Sequence, residues 1–445
     1  MRRTSLLVSC LLLVSTFCLS LDRQSNADYR ARRVALSKIS KGGVTVLFAP
    51  LEQSGGNAIY GFRQDDNFYY LTGWSEPGAA LVIAPAVEAT ATTPARAYTE
   101  TLYLPAHNLV QEKWTGPKLG ADDANARSLT GFDRVEVLDR MRDDVDKLLT
   151  GFNRPSILTD TAIAPAESPS TEPMAWLRRA NAFPTGASVT DVKPMLAELR
   201  MRKDAGELEL IKHATDASIS AHRLAFKLVK PGVNEHQVAA AMQGEFMMRG
   251  CERPAYAPIV GSGFYSTVLH YSEDSKQIAD GETVVIDVAG EYSMYASDIT
   301  RTVPANGKFT ARQREIYDIV LGAQRAAEAA FAPGKSLLTG DTADSLYKVA
   351  LDYINAHGKD LHGQPLGKYF IHGLGHFVGL NVHDVGRAPL DKGMVFTIEP
   401  GIYIPEEKLG VRIEDIYYVD TNGKLVDMTA SLPHTADEIE AAVKR

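Results

Sequence analysis

The chain has 445 residues, 45% hydrophobic and 23% charged, a composition that fits a folded globular protein and excludes a disordered or fibrous one. That length is enough for two domains and a large core. A formal net charge of −8 with no basic run argues against a nucleic-acid partner.

The first twenty residues, MRRTSLLVSCLLLVSTFCLS, place Arg2 and Arg3 before an apolar run from Leu6 to Leu19. The run is too short to span a bilayer comfortably and fits a secretory signal cut near Ser20, so export to a periplasm or out of the cell is expected. A buried N-terminal helix is disfavoured because no polar face breaks the run. Leu7-Val8-Ser9-Cys10 resembles a lipoprotein attachment site, but the apolar stretch before Cys10 is very short, which leaves lipid anchoring a minor alternative. Removing residues 1–20 takes away two arginines and no acid, which brings the net charge to −10. Cys10 and Cys18 leave with the segment, so Cys251 is alone and no internal disulfide can form. Followed by Glu252 and Arg253, Cys251 reads as a lone thiol at a helix end rather than a nucleophile.

Residues 28–190 read as an α/β domain. Short β-prone runs at 44–48, 68–71, 80–83 and 101–104 predict strands, with two more at 135–138 and 157–158 around a helix near 139–150. The Ala/Thr/Pro stretch 86–97 predicts a surface loop. No catalytic constellation is visible in this part.

From about residue 191 to the end, long and well-signalled helices dominate. Asp204 with Glu207, Asn234 with Gln237, and Thr310 with Gln313 are capping-box patterns that open helices. Pro231-Gly232 and Pro333-Gly334 break helices in matching places. Each break separates two helices, and a β hairpin follows: strands 283–303 after helices 204–250, then strands 376–419 after helices 310–357. The pattern predicts an α+β domain of two αα-ββ halves related by a pseudo-twofold axis, with a cleft where their sheets meet.

That cleft collects polar residues in apolar strands. Asp287 interrupts TVVIDVA, and Asp298 opens the strand-like run 298–303. Glu399 ends an apolar run just before Pro400-Gly401, and Arg412 and Glu414 alternate with Val411 and Ile413, so both point to one face. Histidines stand at 372, 376 and 383, and 377–383 reads as a strand. Singly, each residue has an ordinary explanation: an edge position, an ion pair or a loop histidine. Together they put four acids at core-like positions, where ionised carboxylates repel unless cations join them. Two divalent cations would balance four carboxylates, and one histidine would complete an oxygen-rich shell. Such a set suits Mn²⁺ or Co²⁺, with Zn²⁺ as the further candidate, held roughly 3.5–4 Å apart by shared carboxylates as in two-metal hydrolases.

In their order along the chain, Asp287, Asp298, His376, Glu399 and Glu414 resemble the ligand set of the pita-bread metallopeptidases, and of Xaa-Pro aminopeptidases (aminopeptidase P) in particular. The segments LHYSED, ASDITRTVPANGKFTARQREIYDIV, HGLGHFVGLNVHDVG, IEPGIYI and VRIED are similar to that family's, as are FRQDDNFYYLTGWSEPGAALV and EKWTGPKLG in the first domain.

The resemblance implies a pita-bread catalytic domain behind a non-catalytic N-terminal domain, and cleavage of peptides with proline at the second position. Asp287 would bind one metal, His376 and Glu399 the other, and Asp298 and Glu414 would bridge them. A hydroxide between the ions would attack, with Glu399 as proton shuttle. His270, His372 and His383 would line the cleft to bind substrate or steady an oxyanion, and Arg412 would hold a bridging acid in place. Trp114 matches an N-domain aromatic that reaches a neighbouring subunit's site, and relatives form homodimers or homotetramers. The nearest alternative is prolidase, which shares the five ligands but prefers dipeptides. A more distant one is a non-catalytic peptide-binding protein of the same fold, against which the retention of all five ligands counts.

Overall fold

A computed structural model describes residues 22–51, 60–160 and 186–444. The leader-like residues 1–20 lie outside the described residues. In the first domain six strands form a mixed sheet in the order Arg134–Val137, Thr99–Leu104, Ala80–Ala84, Val44–Phe48, Ser156–Thr159, Ser188–Asp191. Alternate residues of the central strands serve opposite faces. Leu47, Leu81, Ile83 and Leu102 join the apolar cluster around Phe68, whereas Val44, Val46, Val82 and Tyr103 pack with Met141, Val145 and Leu149 of the helix Met141–Leu149. On the first face Arg33, from the helix Asn26–Ile39, forms a wholly buried ion pair with Glu100, with bonds of 2.8 and 3.0 Å.

One expected strand is a helix. Residues 68–71 belong to the helix Asp66–Thr72. Asp65 caps it, its side chain accepting from the amides of Asn67 and Phe68, and Gly73 ends it in the left-handed conformation at φ 60°. Phe68, Tyr69, Tyr70 and Leu71 are all buried, so the periodicity that separates helix from strand is erased.

The second domain carries the expected repeat. The capping boxes at Asp204, Asn234 and Thr310 form and open the helices Ala205–Leu228, Glu235–Met248 and Ala311–Ala330. The helix Leu346–His357 completes the second pair. Each pair backs a small antiparallel sheet. The first sheet is Thr300–Pro304, Thr283–Asp287, Ile259–Ser262, and the second is Val395–Ile398, Asp415–Val419, Leu425–Asp427, with the hairpin Gly401–Ile404 and Leu409–Arg412 beside it. An isolated bridge between Thr300 and Glu414, with the buried Arg301–Asp415 ion pair beside it, links the halves at the cleft. Among the described residues no helix is long and apolar enough to cross a membrane.

The strand expected at 377–383 is absent: Phe377 makes one bridge to Phe396, and the chain then turns. The Gly379 amide donates to Asn381 O at 3.0 Å, and Asn381 Oδ1 takes the His383 amide at 3.1 Å. These local bonds replace a strand ladder.

Candidate metal centre

The hairpin register sets the acids. Asp287 ends its strand opposite Thr300, and Asp298 lies just ahead of Thr300–Pro304. Glu399 sits in the break between Val395–Ile398 and Gly401–Ile404, and Glu414 in the break between Leu409–Arg412 and Asp415–Val419. The strand read through 411–414 is thus interrupted at Ile413, but Arg412 and Glu414 still reach the same cleft.

All nine sequence-predicted residues line one cavity of about 560 Å³: Asp287, Asp298, His376, Glu399 and Glu414 with His270, His372, His383 and Arg412. Asp298, His376 and Glu414 each offer a ligand atom within 4.8 Å of the others. His376 Nε2 lies 3.3 Å from Asp298 Oδ2, 3.4 Å from Glu399 Oε1 and 3.9 Å from Glu414 Oε1. Asp287 joins through Tyr256, whose hydroxyl is 2.6 Å from Asp287 Oδ1 and 2.7 Å from Asp298 Oδ1, so one phenolic proton serves two carboxylates.

The charges are unbalanced. Burial, followed by the neighbouring Asp298, Glu399 and Asp287, drives the Glu414 carboxyl well above its ordinary range. Burial likewise pushes Glu399 up to about 7 and raises Asp287 despite the Arg412 guanidinium. His376 moves the opposite way for an imidazole: burial would lower it, but Asp298 and Glu399 outweigh that and raise it to about 9. Buried acids that resist ionisation and a histidine that holds its proton mark a place short of positive charge. The donor set, four carboxylates and one imidazole, is the chemistry that hard or borderline divalent ions take, so the residues fit two such ions.

A second layer, which sequence reasoning missed, aims these groups. Thr300 Oγ1 donates to Glu414 Oε2 at 2.6 Å and accepts from Arg412 Nε at 3.2 Å. Arg412 Nη2 donates to Asp287 Oδ2 at 2.6 Å, and Nη1 donates to the Tyr403 hydroxyl at 2.9 Å. Arginine cannot accept, so the Tyr403 proton goes to His372 Nε2, 2.8 Å away, leaving Nδ1–H for Gly373 O at 2.8 Å. Both His372 nitrogens are therefore engaged, and burial with the Arg412 charge lowers this imidazole to about 4, which keeps it neutral. His383 lies against His376 with the rings tilted and their centroids 4.0 Å apart, and both His383 and His270 are exposed in the cleft. Thr300 had a weak signal, standing two residues after Asp298 and so on the same face. Tyr256 and Tyr403 had none, because a lone tyrosine in an apolar run reads as core.

Trp114 lies apart from this cavity, on the short helix Glu112–Thr115, and is 86% exposed.

Residues 209–421 match the model of metallopeptidase family M24, and residues 29–157 that of the aminopeptidase P N-terminal domain. The chain is 33% identical to the Xaa-Pro aminopeptidase of Escherichia coli K12, covering 94% of this chain and 97% of the relative. It is 33% identical to human Xaa-Pro aminopeptidase 3, covering 89% and 80%. Among solved structures it is similar to proline aminopeptidase P II from Yersinia pestis, with a TM-score of 0.80, 31% identity and coverage of 94% and 99%. It is also similar to Escherichia coli aminopeptidase P with the inhibitor Pro-Leu, with a TM-score of 0.81, 30% identity and coverage of 95% and 99%.

Proposed function

The chain belongs to metallopeptidase family M24 and carries the aminopeptidase P type of N-terminal domain; on that premise we propose that it is an Xaa-Pro aminopeptidase, hydrolysing the bond between a free N-terminal residue and a following proline. The observation that carries the reading is the convergence of Asp298, His376 and Glu414 on one point, with Glu399 and Asp287 beside them.

Asp287, Asp298, His376, Glu399 and Glu414 would hold two divalent cations, with Mn²⁺ the first candidate and Co²⁺ or Zn²⁺ the others. When bound, such ions polarise a carbonyl and make a water nucleophilic near neutral pH. The remaining work falls to the chain. Glu399, with Oε1 facing His376 and Thr397, is the proton acceptor and returns the proton to the departing proline nitrogen. His372 cannot donate to substrate without giving up Gly373 or Tyr403, so it serves as a neutral wall. His383 and His270 are left to steady the developing oxyanion. Arg412, through Thr300 and Asp287, keeps two of the acids in place.

The test is cleavage of Ala-Pro, Ala-Pro-Ala-Ala and Ala-Ala-Ala-Ala by residues 21–445 loaded with Mn²⁺, with products read by mass spectrometry. Release of alanine from Ala-Pro-Ala-Ala in preference to Ala-Pro supports the proposal. Preference for Ala-Pro would make the protein a dipeptidase. Cleavage of none, by folded and metal-loaded protein, would refute both.

A further inference from the structure

Residues 378–386 bring Val382 and His383 to the cleft without strand or helix of their own. Their polar anchors come largely from elsewhere. The Asp384 side chain, 2% exposed, accepts from Arg200 Nη2 at 2.5 Å and from Lys203 Nζ at 3.0 Å. Arg200 continues to the first turn of the helix Asp66–Thr72 in the N-terminal domain, where Nη1 donates to Asn67 Oδ1 at 2.6 Å and Nη2 lies 3.5 Å from Asp66 Oδ2. Asp66 Oδ1 takes Arg63 Nη1 at 2.9 Å, and Arg63 Nη2 donates to Leu380 O at 2.6 Å. The circuit thus leaves the segment at Asp384 and returns to it at Leu380.

Packing follows the same path. Val378 and Leu380 are buried in the apolar cluster that holds Phe68 and Leu71. A Cβ at Gly379 would lie 2.1 Å from Asp384 Oδ2 and 2.8 Å from Lys203 Cε, so the backbone is closed tightly over the ion pair.

We propose that Asp384 is a positioning residue, through which the N-terminal domain, by way of Arg63, Asp66 and Arg200, holds His383 against the cleft. A carboxylate shared by two buried cations fixes its own backbone, and His383 is the residue immediately before it. The catalytic consequence rests on the aminopeptidase reading; the placement itself does not.

The experiment is a double-mutant cycle on the full chain from residue 21, with Asp384→Asn, His383→Ala and the pair, reading kcat/KM on Ala-Pro-Ala-Ala. Hydrogen exchange over 378–386 is measured in the same proteins and in Asp66→Asn, which lies outside the cleft. Asp384→Asn should lower kcat/KM about 10- to 100-fold, the scale of a misplacement of about 1 Å. In its background His383→Ala should cost much less than in the parent. Exchange over 378–386 should quicken in Asp384→Asn and Asp66→Asn while the helix Ala311–Ala330 keeps its protection. Independent, multiplying losses, or unchanged exchange over 378–386, would overturn the proposal. If the parent cleaves no Xaa-Pro peptide, the functional reading fails and exchange alone decides the placement. If Asp384→Asn does not fold, Asp66→Asn decides it.

Discussion

Replacing Thr300 by valine removes one hydroxyl from a wholly buried position and leaves the side-chain shape nearly intact. The hydroxyl makes two bonds that matter to the metal site: it donates to Glu414 Oε2 at 2.6 Å and accepts Arg412 Nε at 3.2 Å. Arg412 keeps Asp287 and Tyr403 as partners, so the main loss is the bond to Glu414. A hydrogen bond to a charged group is worth about 1.5–3 kcal/mol. At about 1.4 kcal/mol per decade that predicts Mn²⁺ binding weakened ~10- to 100-fold, the range expected when a partner of a metal ligand is lost. Calorimetric titration of metal-stripped protein with Mn²⁺ measures this directly, and Thr300→Ser, which keeps the oxygen, should recover most of the affinity. If Thr300→Val binds Mn²⁺ as tightly as the parent, Thr300 does not orient Glu414.

Three more expectations concern other parts of the chain. Glu100→Ala strands the buried Arg33 guanidinium and should cost about 3–5 kcal/mol in urea denaturation, an effect that a surface pair would not give. Gly375→Ala places a Cβ 2.1 Å from Thr397 O, so the backbone before His376 must move; kcat should fall about 100-fold for a shift of about 1 Å. Burial alone would raise the Asp384 carboxyl, but Lys203 and Arg200 outweigh it and hold it below its ordinary range. Its folded pKa therefore lies under the unfolded value of about 3.9, so its contribution is full above that value and is lost as pH falls through the lower one. The melting-temperature gap between the parent and Asp384→Asn should then stay constant near neutrality and narrow in acid, and a gap that widened in acid would refute the assignment.

What the sequence made legible follows from physics that is local. Capping boxes at Asp204, Asn234 and Thr310 involve residues three apart, so they can be read directly, and all three form. The five acid and histidine positions stood out because charge inside apolar runs is costly, and the cavity gathers all of them. Phe68–Leu71 failed because complete burial removes the polar face that marks a helix, leaving Asp65 and Gly73 as the only signs. Residues 377–383 failed because Val378 and Leu380 are buried in the apolar cluster around Phe68 while His383 meets the cleft, and among the described residues no neighbouring strand pairs with the segment beyond Phe377. Tyr256, Thr300 and Tyr403 take their meaning from partners 9 to 114 residues away, and no local pattern records that.

The ligands are also ordered in time. During synthesis Asp287 and Asp298 are made well before His376, and Glu399 and Glu414 follow it. A chain made only that far has two of the acids but neither the imidazole nor the later carboxylates. The full donor set therefore exists only once both halves of the second domain have been made.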